Sequence, residues 1–254
     1  MRTLSWFSCG TASAVATRLI FKENPYSLIV YCDTGSEHPD NKRFFDDCLE
    51  WFGLKENGKD AYADSCRDVY ILKNEKYKDV DDVIEKTKYM SGISGARCTV
   101  ELKKVPRFNF QKPDDLHIFG YTLEEKKRAE RFQENNPELN LRFPLIEKQI
   151  TKKDTLALIN EAGIELPIMY KQGFEHNNCI GCVKASGKDY WARIRQYYPE
   201  VFKKRCEQSR ELGVRLIWIN GVRSFLDELP VYKTFEYEPE PICDFLCQDI
   251  HASI

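Results

Sequence analysis

The stretch from Leu4 to Phe21 constrains this chain more than any other. Leu4-Ser5-Trp6-Phe7 is short, apolar and aromatic, the character of a buried strand. Ser8-Cys9-Gly10-Thr11-Ala12-Ser13 is small and rich in hydroxyls, and Ala14, Val15, Arg18 and Leu19 then fall at helical spacing. A strand that runs through a tight bend into a helix aims free backbone N–H groups and the positive end of the helix dipole at one spot. Such a spot favours an anion by up to about 2 kcal/mol when partly buried. Gly10 lets a phosphate or sulfate approach the backbone closely, and Ser8, Thr11 and Ser13 add hydroxyl donors. The same bend also reads as an ordinary helix start capped by Ser8 or Thr11, so its meaning depends on the rest of the chain.

Beyond Phe21 the pattern repeats. Ser27 to Cys32 is a continuous β-branched and aromatic run, hence a buried parallel strand. It leads through Asp33-Thr34-Gly35-Ser36-Glu37-His38-Pro39 into a helix that Asp40 opens and that runs to Phe52. A third strand, Asp68 to Leu72, precedes a helix near Val80 to Lys88. The glycines and serines of Ser91 to Cys98 predict a mobile loop. Leu116 to Tyr121 reads as a further strand ending at Gly120, and Thr122 with Glu125 forms a capping box for the next helix. A helix near Lys152 to Glu161 stops at Gly163. Alternating strands and helices predict an α/β fold, a Rossmann-like parallel sheet with helices on both faces, whose ligands lie beyond the carboxyl ends of the strands. Both the Ser8–Ser13 bend and the Asp33–His38 loop belong to that edge. The reading divides the chain into a nucleotide-binding domain over 1–165 and a helical, cysteine-bearing part over 166–254, with no clean linker between them. In the latter, Asp189 to Arg195 and Pro199 to Leu212 predict two helices, with Pro199 in the first turn of the second.

Charge and cysteine content narrow the chemistry. The 254 residues carry a formal net charge of −2, so no global field recruits nucleic acid or an anionic membrane, and an anionic ligand needs local groups. No apolar run reaches the length of a membrane span and the N-terminus lacks a basic-then-apolar signal, which predicts a cytoplasmic protein with no membrane partner. Ten cysteines in such a chain read as thiols, some of them ligands. Cys179-Ile180-Gly181-Cys182 is a knuckle that can turn two thiolates toward one metal. Cys243 and Cys247, four apart, can share one helix face. With Cys98 these make the candidate thiolates, Cys179, Cys182, Cys98 and one of the C-terminal pair, for zinc or a [4Fe–4S] cluster, which spacing does not separate.

The Ser8–Ser13 bend resembles the PP-loop of the adenine-nucleotide alpha-hydrolase superfamily, written Ser-Gly-Gly-x-Asp-Ser, with Cys9 at the first Gly and Ala12 at the Asp. Cys98, followed by Leu102-Lys103 and Pro106, resembles the corresponding segment of phosphoadenosine phosphosulfate reductases. The strand-Gly120-helix unit with Arg128 resembles the segment that contacts the sulfonucleotide there, and the segment from Asn177 through Phe202 resembles reductase-like proteins of phages and bacteria. The likeness spans nearly the whole chain. It implies an adenine nucleotide, ATP or phosphoadenosine phosphosulfate, held by Ser8, Gly10, Thr11 and Ser13 of the bend and by Asp33, Thr34 and Gly35. Arg97, Lys103, Gly120 and Arg128 join them. It also implies a cluster or zinc on Cys98, Cys179, Cys182 and Cys247, and a C-terminal thiol, Cys243 or Cys247, that attacks the sulfate sulfur before a thiol reductant completes the reaction. A second reading is ATP-dependent sulfur transfer from a donor protein to a nucleobase or nucleic acid, with Lys103, Lys104 and Arg107 as a local patch. A third is a nucleotide-binding protein with structural zinc. A homodimer is left open. His117 is expected in the core.

Overall fold

Strand β1 (Thr3–Trp6) sits at the centre of a five-stranded sheet in a computed structural model that describes residues 1–54, 69–93, 95–177 and 179–231. The others are β2 (Leu28–Cys32), β3 (Val69–Leu72), β4 (Leu116–Ile118) and β5 (Asn140–Arg142). Every pairing is parallel, and the order across the sheet is β3-β2-β1-β4-β5. The order reverses direction beside β1, so the loops after β1 and β4 flank a topological switch point, where such sheets hold ligands.

Register assigns the two faces. Leu4 lies opposite Leu28 and His117, and Trp6 opposite Val30. Residues of the other parity, Ser5, Phe7, Ile29 and Tyr31, face a core with α1 (Thr11–Glu23), α2 (Asn41–Phe52) and the later helix α6 (Lys152–Glu161). Phe7, Phe44, Phe45 and Leu49 are fully buried there. Each such side chain contributes roughly 1.5–3 kcal/mol by leaving water. Ser5 and Thr17 satisfy one another across this interface at 2.8 Å. Asp40 does not cap α2 through its side chain. Its carboxylate forks onto Arg43 at 2.7 and 3.0 Å and accepts from the Ile168 amide.

The opposite face is covered by α4, residues 97–110. It is an α-helical turn (Arg97–Thr99), a π-helical stretch (Val100–Lys104) and an α-helix (Val105–Phe110) in succession. Pro106 explains the widened stretch: it has no N–H for the Leu102 carbonyl and its ring crowds that group. Phe110 packs on Tyr70, and Phe132 of α5 (Lys126–Glu134) meets Phe119 edge-on. His117 is fully buried, stacked on Trp6 and accepting its indole N–H at 3.0 Å, as a core histidine should be.

A second core joins α3 (Val80–Thr87), Ala96 and Leu102 to α7 (Lys188–Tyr197) and α8 (Pro199–Glu211), around the fully buried Trp191. Ser91–Gly92 and Gly95–Ala96 pair as a small antiparallel hairpin where a mobile loop was expected. A second hairpin, Ile217–Ile219 with Val222–Ser224, comes after α8. No helix among the described residues is long and apolar enough to cross a membrane.

Candidate functional site

The bend after β1 is held from within. Cys9 is fully buried and takes a left-handed conformation, φ +55°, disfavoured by about 1–2 kcal/mol for a residue with a side chain. Ser13 closes the turn: its hydroxyl donates to the Gly10 carbonyl at 2.9 Å and accepts the Ser8 amide at 3.1 Å. The Ser8 hydroxyl lies 3.2 Å away. Gly120 seals one side, where a Cβ would stand 2.7 Å from the Ser13 backbone nitrogen. The inner donors of the bend are thus engaged with one another. Thr11 faces outward from the turn, toward Thr155 at 3.0 Å and the Lys152 ammonium at 2.9 Å. Gly10 offers no side-chain cap, and the first turn of α1 has no acidic residue.

The loop after β2 faces the cysteines. Asp33 accepts the Gly35 amide at 2.9 Å and pairs with Lys73. Gly35, φ +65°, is required here, because a Cβ would come within 2.1 Å of the Lys78 carbonyl oxygen. Thr34 is buried and its hydroxyl lies 3.1 Å from Cys179 Sγ. Glu37 accepts from the Tyr31 hydroxyl, and Lys103 Nζ stands 3.9 Å from it. Burial pushes the Glu37 carboxyl above its usual range, against the pull of Lys103.

The knuckle is tied down by residues far away in sequence. Ile180 N–H donates to the Ser36 carbonyl at 2.9 Å. The Tyr190 hydroxyl accepts Cys182 N–H at 2.7 Å and donates to the Cys179 carbonyl at 3.3 Å. Arg205 holds the Gly181 carbonyl at 3.0 Å while pairing with Asp81. Asn177 links knuckle and bend: its amide donates to the Cys9 carbonyl and to Asn41 Oδ1, both at 2.7 Å.

Lys103 reaches this assembly from the π stretch of α4. Its side chain is 43% exposed, and its ammonium approaches the buried Glu37 carboxylate. Loss of hydration works against its charge, but Cys179, Glu37, Cys32 and Cys182 outweigh that and raise its pKa. One turn on, Arg107 lies in the fields of Cys32 and Tyr121, and its buried Nε has no hydrogen-bond partner. Burial pushes Cys179 up to about 12, partly offset by Lys103, and Cys32 up to about 11. Cys98 is raised by burial and by Cys182.

The expected site residues thus fall into separate groups. Asp33, Thr34, Gly35, Lys103, Cys98, Cys179 and Cys182 share the cleft beyond β2. Gly10, Thr11, Ser13 and Gly120 meet at the switch point, with Ser8 bonded to Ser13. Arg97 instead pairs with Glu101 at 2.6 Å and lines a groove with Thr87 and Tyr89. Arg128 is 67% exposed, pairs with Glu125 and lies over the Tyr121 ring. Cys243 and Cys247 lie outside the described residues. Cys182 acts on both Cys98 and Cys179, yet among the described residues no three His, Cys, Asp or Glu side chains stand close enough to hold a metal ion. Cys179 is turned to Thr34 rather than to a shared centre. The described thiols therefore do not by themselves fit a cluster or zinc.

Sequence reasoning missed Tyr31, Glu37 and Asn177 as site residues, although Glu37 and Asn177 lie in segments it had marked. It also missed Lys152 and Tyr170. One signal for Lys152 was present: a cation in the first helical turn opposes the helix dipole and calls for a reason. The chain matches no family model and no curated protein.

Proposed function

We propose that the protein binds an adenine nucleotide across the switch point and performs thiol chemistry on its anionic end, as a sulfonucleotide-reductase-like enzyme. The observation that supports this most is that Cys179 Sγ lies 3.1 Å from the Thr34 hydroxyl just after β2, with the Lys103 ammonium 3.9 Å from Glu37 and raising no barrier to a thiolate there. Lys103 and Arg107 suit a sulfate or phosphate oxygen, and Asp33–Gly35 borders the same cleft. In the reaction, a thiol loses its proton and its sulfur attacks the sulfate sulfur. An S–S bond forms, the S–O bond to the nucleotide breaks, and the nucleoside phosphate leaves with the electron pair of that bond. For Cys179 the nearby base that takes the proton is Glu37, in whose field the thiol lies. A thiol reductant then attacks the cysteine sulfur and releases sulfite, leaving a mixed disulfide.

The resemblance assigns the attack to Cys243 or Cys247, and Cys179 is the described thiol that meets the Thr34 hydroxyl in the fields of Lys103 and Glu37. A metal or cluster on Cys98, Cys179, Cys182 and Cys247 enters no step, since the described thiols do not gather round one point. ATP-dependent sulfur transfer draws less support, because Ser13 occupies the Ser8 amide, a donor of the bend that a pyrophosphate would need.

The test is transfer from ³⁵S-labelled phosphoadenosine phosphosulfate without reductant, then peptide mapping. The expected result is a label on the Cys179 peptide that a thiol reductant releases as sulfite. A label on the Cys243 or Cys247 peptide keeps the reaction and moves the nucleophile. No label and no sulfite, with ATP split to AMP and pyrophosphate, overturns the proposal in favour of the sulfur-transfer reading.

A further inference from the structure

Residues 179–182 form a β-turn, with Gly181 in its third position at φ +67°. Glycine is required there, because a Cβ would stand 2.6 Å from Val201 Cγ1. The Tyr190 hydroxyl bridges the two ends of the turn. A second turn follows at once, closed by the Ala185 amide on the Cys182 carbonyl at 3.0 Å. The first and fourth residues of a β-turn have Cα atoms less than about 7 Å apart, and a disulfide spans about 4.4–6.8 Å between Cα atoms. The turn alone therefore brings Cys179 and Cys182 into the range of a disulfide.

Their surroundings suit exchange chemistry. Both thiols are half-buried, whereas Cys9 and Cys48 are sealed in the core. Cys182 acts on Cys179, and Lys103 works against the burial that raises the Cys179 thiol. The described side chains do not gather as the ligand set of a metal ion. They offer a pair of neighbouring thiols on one turn.

We infer that Cys179 and Cys182 form a reversible disulfide, so that the knuckle is a redox modification site whose oxidant is a small disulfide of the glutathione class. Cys179, held up at about 12, is the slower attacker on a free disulfide, which gives the first step to Cys182. Cys182 loses its proton and its sulfur attacks one sulfur of oxidised glutathione. An S–S bond to Cys182 forms, and one glutathione leaves as thiolate with the electron pair of the broken bond. Cys179 then loses its proton and attacks the Cys182 sulfur, and the second glutathione leaves in the same way. Two protein thiols are oxidised and one disulfide is reduced to two thiols. The cross-link is independent of the sulfonucleotide reading. Its control of transfer rests on that reading: a cross-linked Cys179 has no thiolate to offer, so only the reduced form accepts the sulfonate.

Titration of the reduced full chain with mixtures of oxidised and reduced glutathione, followed by acid quench, thiol counting, peptide mapping and metal analysis, tests this. The expected product has lost two thiols, retains no glutathione and gives a Cys179–Cys182 cross-linked peptide, and dithiothreitol restores both thiols. Cys179→Ser should instead accumulate glutathione on Cys182, and Cys206→Ser should leave the cross-link unchanged. Melting curves identify a variant that fails to fold, and the wild-type peptide map then decides. Glutathione retained on wild-type Cys182, a Cys98–Cys182 cross-link, or both thiols left free, with or without bound iron or zinc, overturns the pair. With ³⁵S-labelled phosphoadenosine phosphosulfate, the reduced chain is expected to take label and the oxidised chain none. Equal label in both states overturns the control of transfer. A cross-link in a chain that takes no label in either state supports the pair and removes the sulfonucleotide reading.

Discussion

The Ser8–Ser13 bend and the Cys179–Cys182 knuckle are both tight turns at one edge of one sheet, but they are held by opposite means. The bend is fixed by its own residues, with Ser13 reaching back to Ser8 and Gly10. The knuckle is fixed by Thr34, Ser36, Tyr190 and Arg205, none of which lies within it. A locally closed turn keeps its shape wherever its ends are held. A turn closed by distant groups inherits the stability of the whole fold, and loosens when any supporting helix does.

The largest expected effect lies with the knuckle. Arg205→Met removes a guanidinium whose side chain is 3% exposed, strands the Gly181 carbonyl and leaves Asp81 to Lys204 and Gln208. It should cost about 3 kcal/mol in urea unfolding, toward the low end for a broken buried pair because Asp81 is partly exposed. Cys182 alkylation should accelerate at the same time. Unchanged stability would mean that the knuckle stands without α8.

A paired measurement sharpens the contrast. Tyr190→Phe leaves Cys182 N–H without its acceptor and should cost about 1–2 kcal/mol, with faster alkylation of Cys179 and Cys182. Ser13→Ala should cost about 1 kcal/mol with thiol reactivity unchanged. Equal thiol acceleration in both variants would erase the distinction between the two turns.

The smallest effect is a pH dependence. Cys32 and Cys179 hold their protons up to about 11 and 12 in the fold, whereas an unfolded thiol releases its proton near pH 8.5. Their contribution is complete below that unfolded value and is lost as pH rises toward the folded values. These two thiols together should lower stability by about 1 kcal/mol between pH 8 and 9. Cys9, Cys48, Cys98 and Cys206, also raised by burial, add to the fall, and Cys179→Ala makes it shallower. A flat profile over that interval would place both thiols in contact with bulk water.

The same distinction explains how much was legible in the sequence. β1 and β2, the helices after them, the capping box at Thr122 and Pro199 at the start of α8 all arise from local pattern, and the structure has them. β5 was missed because Asn140-Leu141-Arg142 is three residues long and polar, an edge strand with no alternation to read. The π stretch was missed because the crowding Pro106 creates depends on the turn before it. In the site, Gly35 and Thr34 were named from their loop. Glu37 and Tyr31, two residues of the same segment, matter only because the strand end folds one carboxyl under the other's hydroxyl. Lys152 and Tyr170 reach Thr11 across more than 140 positions, a proximity that no local pattern encodes.

The widened turn in α4 has a consequence for how this chain tolerates change. One extra residue in a helix turns everything beyond it by about 100°. Cys98, on one side of that stretch, neighbours Cys182, while Arg107, on the other, neighbours Cys32. The two ends are keyed to different walls of the molecule by a single residue of slack. Deleting one position between 100 and 104 would leave the helix intact and swing one of those ends out of its lock.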